Sequence, residues 1–345
     1  MNRPMMEVVV QEDLSGCIPY ILDQHGNEIP CRESEFRILR IAQGLRSLAG
    51  TRFTAPDVAD STLADALTAI HDRDYLMFLE RLGRTLAGDD VVMHHPFIPA
   101  GVAPDTPIVA GIFDVAREAA RTAIGAASLL ATGARYSYAL CRPPGHHAGT
   151  SWLGGHCYLN NAVMALRTLR DAGLRRPALI DLDFHFGNGT AEILARDTTA
   201  FFGSIHSSTL ISYPYQPTRE FHDRQLFIPF TDDPGTGRFL EALALLLEHA
   251  MRTEPEALVI SVGYDIIAGD PFGKWELPIE ILEEIGAMLA APGIPVCLVQ
   301  EGGYLPEHLD ECALRLGMGL LGRMTGAPAG EQRFTTAEGS VGMGT

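Results

Sequence analysis

The sequence predicts an α/β fold built on a parallel sheet, and three observations carry that prediction. Four short apolar runs, Tyr138–Cys141, Ala178–Ile180, Leu258–Val262 and Pro295–Val299, are uninterrupted and bounded by Gly, Pro or charged residues. That is the pattern of strands buried on both faces of a parallel sheet. Helical stretches such as Asn161–Asp171 and Phe239–Met251 lie between them, and alternation of this kind calls for right-handed crossovers. Finally, each run leads straight into a cluster of polar residues, and open parallel sheets bind ligands outside the carboxyl ends of their strands.

Taken in order, the elements fit one domain. The opening segment, MNRPMMEVVVQEDLSG, holds no apolar stretch long enough for a secretion signal. Apolar residues recur at helical spacing over Glu35–Leu48 and again over Ile112–Leu130. Between Gly88 and Ile108 the chain is rich in Pro, Gly and His and reads as a long irregular loop of the kind that carries function. Residues 1–321 form the expected domain, and residues 322–345, which lack periodicity, the expected loose tail. No run approaches the ~18 apolar residues of a membrane-spanning helix. Six scattered cysteines without CxxC spacing read as reduced thiols of a cytoplasmic protein. With 46% hydrophobic residues among 345, global disorder is excluded. A net charge of −17 argues against a nucleic-acid partner, which would demand clustered Lys and Arg.

The polar clusters carry the chemistry. Tyr138–Cys141 is followed by RPPGHHAG, with His146 and His147. Ala178–Ile180 is followed by DLDFHFGNG, with Asp181, Asp183, His185 and Asn188. Leu258–Val262 is followed by GYDIIAGDP, with Asp265 and Asp270, and Pro295–Val299 by QEGGY, with Glu301 and Tyr304. Asp183 and His185, two apart at a strand end, present a carboxylate and an imidazole side by side, half of a metal site. Asp270 is the expected third ligand, giving two carboxylates and one imidazole, a set that suits catalytic zinc or a similar divalent ion. A lone DxH would read as capping or hydrogen bonding; the His pair and the tyrosine arriving from other strands favour a site. The Pro-Pro-Gly before the histidines points to a rigid turn that fixes both rings, which can serve as base and acid.

Together RPPGHHAG, GGHCYLNNA, DLDFHFGNGT, GYDIIAGDP and EGGY resemble the histone deacetylase and acetylpolyamine amidohydrolase superfamily, and its bacterial acetylpolyamine amidohydrolase-like branch most of all. The likeness extends through AIHDRDYLMFLE near His71 and PDTPIVAGIFDVA near Asp105 to about Leu321. It implies an arginase-like α/β fold, a single domain with a mainly parallel eight-stranded sheet flanked by helices. It also implies one Zn²⁺ per chain on Asp183, His185 and Asp270, with Asp181 behind His146 and Asn188 behind His147. A carboxylate behind His146 favours its protonated form, whereas the amide behind His147 leaves that ring free to act as general base and then acid. Tyr304 would hydrogen-bond the acyl oxygen. A structural K⁺ is implied beside the zinc, on Asp181, Asp183, His185, Ser204 and Ile205. The implied reaction is hydrolysis of an N-acetyl amide to a free amine and acetate, on small acetylated amines such as acetylpolyamines, by a possible homodimer or higher homo-oligomer. Two alternatives remain: a deacylase of acetyl-lysine in proteins or of another metabolite, and a binding protein that has kept the fold.

Several positions depart from the family's pattern or stay open. The implied substrate tunnel takes Tyr213, Gly155, Phe272 and His156. At His156 a Phe or Tyr is more usual, and the histidine is either a tolerated flat ring or a polar contact that alters selectivity. Asp105 is either an acidic rim residue or the N-cap of the following helix. Phe272 stands where some polyamine-selective relatives carry a Glu, which weakens strict polyamine selectivity. The Gly88–Ile108 loop lines the entrance or forms a dimer contact.

Overall fold

The computed structural model describes residues 5–14, 20–22, 27–98, 102 and 105–322. Cys17, the N-terminal four residues, part of the 88–108 loop and residues 323–345 of the expected tail lie outside the described residues. Eight strands form one sheet: β1 (Met6–Val10), β2 (Thr51–Thr54), β3 (Tyr136–Leu140), β4 (Pro177–Asp181), β5 (Phe201–Ser207), β6 (Gln225–Phe230), β7 (Ala257–Val262) and β8 (Val296–Gln300). Their order across the sheet is β6-β5-β4-β7-β8-β3-β1-β2. Every pairing in this sheet is parallel.

Side chains alternate between two apolar cores because the period of a strand is two. Along β7, Leu258, Ile260 and Val262 join the core on one face, whereas Ala257 and Val259 join that on the other. The first face is covered by α1 (Glu35–Arg46), α7 (Gly235–Arg252), α8 (Ile281–Ala290) and α9 (Leu309–Leu320). The second is covered by α2 (Asp60–Ile70), α3 (Arg73–Thr85), α4 (Ile112–Ala131) and α5 (Asn161–Asp171), with the short α6 (Asn188–Ile193) beyond β4. Burial on both faces explains why the central strands read as unbroken apolar runs.

The strand order sets the position of the site. From β4 the chain runs outward to β5 and β6, then returns to place β7 on the opposite side of β4. This reversal opens a crevice at the carboxyl ends of β4 and β7, where open α/β sheets bind their ligands. The loop expected between Gly88 and Ile108 is not wholly irregular. Val91–Val92 pairs antiparallel with Ile108–Val109, a two-residue ladder anchored by apolar residues that pack on the second core. No helix among the described residues is long and apolar enough to cross a membrane.

Candidate active site

Asp181 ends β4, and the turn that follows carries Asp183 and His185 into the crevice. The turn after β7 brings Asp265 beside them. His185 Nδ1 lies 3.0 Å from Asp265 Oδ2 and 3.3 Å from Asp183 Oδ1, and one ligand atom from each of the three falls within 4.8 Å of the others. Asp183 and Asp265 are fully buried. Asp183 Oδ2 accepts from Gly302 N at 2.8 Å and Asp265 Oδ1 from Phe184 N at 3.1 Å, so backbone donors aim both carboxylates.

Asp270 does not join this cluster. Its carboxylate accepts from Phe272 N at 2.9 Å, Gly273 N at 3.1 Å and Tyr304 N at 2.6 Å. It therefore closes its own turn and ties the EGGY loop to it, leaving little acceptor capacity for a metal. The expected ligand set of Asp183, His185 and Asp270 is corrected on this ground: the third carboxylate is Asp265, three residues past the end of β7 rather than eight.

The donor chemistry fits a divalent cation. Two buried carboxylates and an imidazole converge where no Lys or Arg among the described residues pairs with them, a costly arrangement unless a cation is bound. The surrounding backbone is glycine. A Cβ on Gly263 would stand 2.3 Å from Asp183 Oδ2, and one on Gly302 2.5 Å from the same oxygen.

The two histidines occupy unequal environments. His146 Nδ1 lies 3.0 Å from Asp181 Oδ2, and its Nε2 3.7 Å from Asp183 Oδ1. Burial disfavours its charge, but the carboxylates of Asp183 and Asp181 outweigh it and push the imidazolium up to about 10. His147 Nδ1 meets Asn188 Oδ1 at 2.8 Å. Because that oxygen can only accept, the proton sits on Nδ1 and Nε2 keeps its lone pair. Burial, then His146 and His185 beside it, hold His147 well below the ordinary imidazole value. The rigid turn has an identifiable brace: Glu301 Oε2 accepts from Gly145 N at 2.6 Å and His146 N at 3.1 Å.

Tyr304 is set by residues that sequence reasoning missed. Arg37, fully buried on α1, donates through Nε to Gly303 O at 2.6 Å and through a terminal nitrogen to Glu301 O at 2.5 Å. Its guanidinium lies 4.5 Å from the centre of the Tyr304 ring. Glu33 pairs with Arg37 at 3.1 Å and takes Arg142 in a two-pronged contact at 3.1 and 2.7 Å. The available signal was periodicity, since Arg37 falls on the same stripe as the buried Ile41 and Leu45.

The expected tunnel residues surround this centre. The Tyr213 ring packs edge-on to His147 with centroids 4.6 Å apart. Phe272 packs against Tyr304 at 4.8 Å and His156 at 5.8 Å. Gly155 passes so close to His147 that a Cβ would fall 2.2 Å from its ring. Asp105 is no N-cap, because Gly111 precedes α4. Its two carboxylate oxygens face Gly155 N at 3.2 Å, and one accepts from Thr106 Oγ1 at 2.8 Å. Of the positions implied for a monovalent cation, Asp181 and Ser204 are ladder partners across β4 and β5, with Ile205 next in line.

Comparison with known proteins agrees with this geometry. Residues 31–319 match the model of the histone deacetylase domain. The chain is 34% identical over 236 residues to acetylpolyamine amidohydrolase 1 of Pseudomonas aeruginosa, a match spanning 63% of this chain and 65% of that protein. It is 30% identical over 321 residues to acetylpolyamine amidohydrolase of Mycoplana ramosa, covering 82% of this chain and 90% of the relative. A crystal structure of acetylpolyamine aminohydrolase from Burkholderia pseudomallei superposes with a TM-score of 0.84 at 27% identity, over 92% of this chain and 99% of that one. With a parallel sheet, a His pair and a carboxylate-imidazole cluster at its switch point, and a family match across most of its length, the chain belongs to the histone deacetylase domain family.

Proposed function

We propose that the chain hydrolyses N-acetyl amides of small amines, acetylpolyamines among them, to acetate and the free amine. The observation that carries this reading is the unequal His pair standing beside the Asp183–His185–Asp265 cluster, with Tyr304 arriving from β8. Those three residues would hold one Zn²⁺, which when bound supplies Lewis-acid polarisation of the acyl carbonyl and acidifies a water.

The chain's own residues supply the rest. His147 Nε2, unprotonated and within the crevice, takes the proton of the attacking water and returns it to the leaving nitrogen. His146, protonated, places a fixed positive charge beside the developing negative charge. Tyr304 donates a hydrogen bond through its hydroxyl to the acyl oxygen as the carbonyl carbon becomes tetrahedral, keeping its proton throughout. Collapse breaks the C–N bond, the amine leaves with the returned proton, and the acyl group departs as acetate. Tyr213, Phe272 and His156 would flank the chain of the substrate, and burial of the centre keeps bulk water from competing. A K⁺ on Asp181, Asp183, His185, Ser204 and Ile205 would brace the β4 end.

A second reading, deacylation of a peptide or less polar metabolite, draws support from the neighbourhood of Tyr213. Leu210, Ile211 and Tyr215 are exposed there, and the Asp105 carboxylate is already occupied by Gly155 N and Thr106. The deciding experiment is turnover by the metal-loaded protein on N-acetylputrescine, N-acetylcadaverine, N8-acetylspermidine and an acetyl-lysine peptide. Preference for the acetylated polyamines supports the first reading, preference for the peptide the second, and silence on all four contradicts both.

A further inference from the structure

His156 stands where an aromatic hydrocarbon ring would fill the same space, and its backbone is unusual. It has φ 66°, next to Gly155 at φ 54°. Gly154 and Cys157 exchange both backbone hydrogen bonds around them, at 3.2 and 2.9 Å, so the two residues form a tight turn with left-handed centres. A side chain is uncommon at such a φ, although His is among the better tolerated. The turn is held from outside as well. Asp105 accepts from Gly155 N, and Thr106 Oγ1 accepts from His156 N at 2.9 Å. Such over-determination of a strained position fixes where the ring goes.

The ring goes to Tyr304. His156 Nδ1 lies 3.4 Å from the Tyr304 hydroxyl, which has no other hydrogen-bond partner among the described residues. His156 Nε2 is buried and has none. We propose that His156 is a positioning residue for Tyr304, its Nδ1–H donating to the phenol oxygen so that the phenol proton stays free for the acyl oxygen, a role that rests on the amide-hydrolase reading above. The choice of tautomer follows from what each leaves unpaired. With the proton on Nε2, a buried N–H would be orphaned and the Tyr304 proton would be spent on Nδ1. With the proton on Nδ1, only a lone pair goes without a partner, the less costly omission. Burial keeps the ring neutral, pushing it down to about 4, so only one nitrogen carries a proton. A donor into the phenol oxygen also strengthens the phenol O–H as a donor, since linked hydrogen bonds polarise one another.

The test is a double-mutant cycle on the zinc-loaded full chain with N-acetylputrescine. His156→Asn tolerates the left-handed backbone but is too short to reach the phenol, whereas His156→Gln restores an amide N–H of greater reach. H156N is expected to lower kcat about tenfold with KM within about twofold, the worth of one neutral hydrogen bond made in the transition state. H156Q should recover most of that loss. In a Tyr304→Phe background H156N should change kcat by less than about twofold. An unchanged kcat in H156N, or the same loss with and without the Tyr304 hydroxyl, would overturn the proposal. Nitrogen-15 chemical shifts, with the His156 signals identified by their disappearance in H156Q, report the tautomer without turnover. A protonated Nδ1 is expected and a protonated Nε2 would overturn it. If the wild-type protein hydrolyses no acetyl amide, the reading of the site fails while the tautomer still judges the His156–Tyr304 bond.

Discussion

Asp265 and Asp270 show how five residues of sequence separate two different jobs. Both are acidic, both follow β7, and DxH spacing says nothing about which completes the cluster. Only the folded turn shows that Asp270 is engaged by three backbone N–H groups while Asp265 faces His185. Asp265→Asn is therefore expected to lose stoichiometric zinc, measured by elemental analysis after dialysis, whereas Asp270→Asn keeps the metal and loses activity through a displaced Tyr304. The partners of the His pair, Asp181 and Asn188, lie in one motif with Asp183 and His185, which is why the family resemblance could point to them. The pair's pH behaviour follows. The raised His146 value means that its charge, and the stability its pairing contributes, is present in full below about pH 6.5 and lost as pH rises through about 10. Asp181→Asn removes one of the three carboxylates that raise it, and the one hydrogen-bonded to its ring. The alkaline limb of kcat should accordingly move to lower pH by at least about one unit. His147, held well below the ordinary imidazole value by burial and by its histidine neighbours, adds no acid limb near neutral pH.

At the scale of elements, the strands that sequence revealed were those buried on both faces near the middle of the sheet. Helix periodicity located α1, α4, α5 and α7 within a few residues. Strands β1, β2, β5 and β6 were not legible: β2, at one edge, is mostly polar and alternates half-buried and exposed residues, and β6 at the other edge is only partly buried. The Glu33–Arg37–Arg142 cluster was equally hidden, because Arg37, a charged residue in a helix, reads as solvent-facing until its stripe is compared with its neighbours, and its two partners lie outside any helix. Its energetic signature is a buried carboxylate held below its ordinary range, burial being outweighed by Arg142 and Arg37. Glu33→Gln would remove the buried carboxylate that pairs with both guanidinium groups. A loss of about 3–5 kcal/mol of stability, read by denaturant unfolding, is the expected cost. The EGGY turn is similarly intolerant: Gly303 has φ 109° and its missing Cβ would fall 2.7 Å from the Cβ of Tyr264. Gly303→Ala should lower kcat by at least about tenfold by moving Tyr304, with zinc content unchanged.

Across the whole molecule, one topological feature governs the chemistry. The reversal of strand order beside β4 gathers the ends of β3, β4, β7 and β8, four segments far apart in sequence, into one crevice. Sequence foresaw the convergence from the polar clusters, although strand order itself depends on long-range pairing that local pattern does not encode. Because the cluster is assembled only in the folded chain, zinc should stabilise the whole domain by mass action. A rise of several degrees in Tm is expected at zinc concentrations well above Kd, and it should vanish in Asp265→Asn. The most direct single measurement is acetate release from N-acetylputrescine by the zinc-loaded wild-type protein and by Asp265→Asn side by side. One acetate per amine from the wild type, at a rate at least about 10²-fold above the variant, is the predicted result; equal rates from the two proteins would contradict the assignment of the centre.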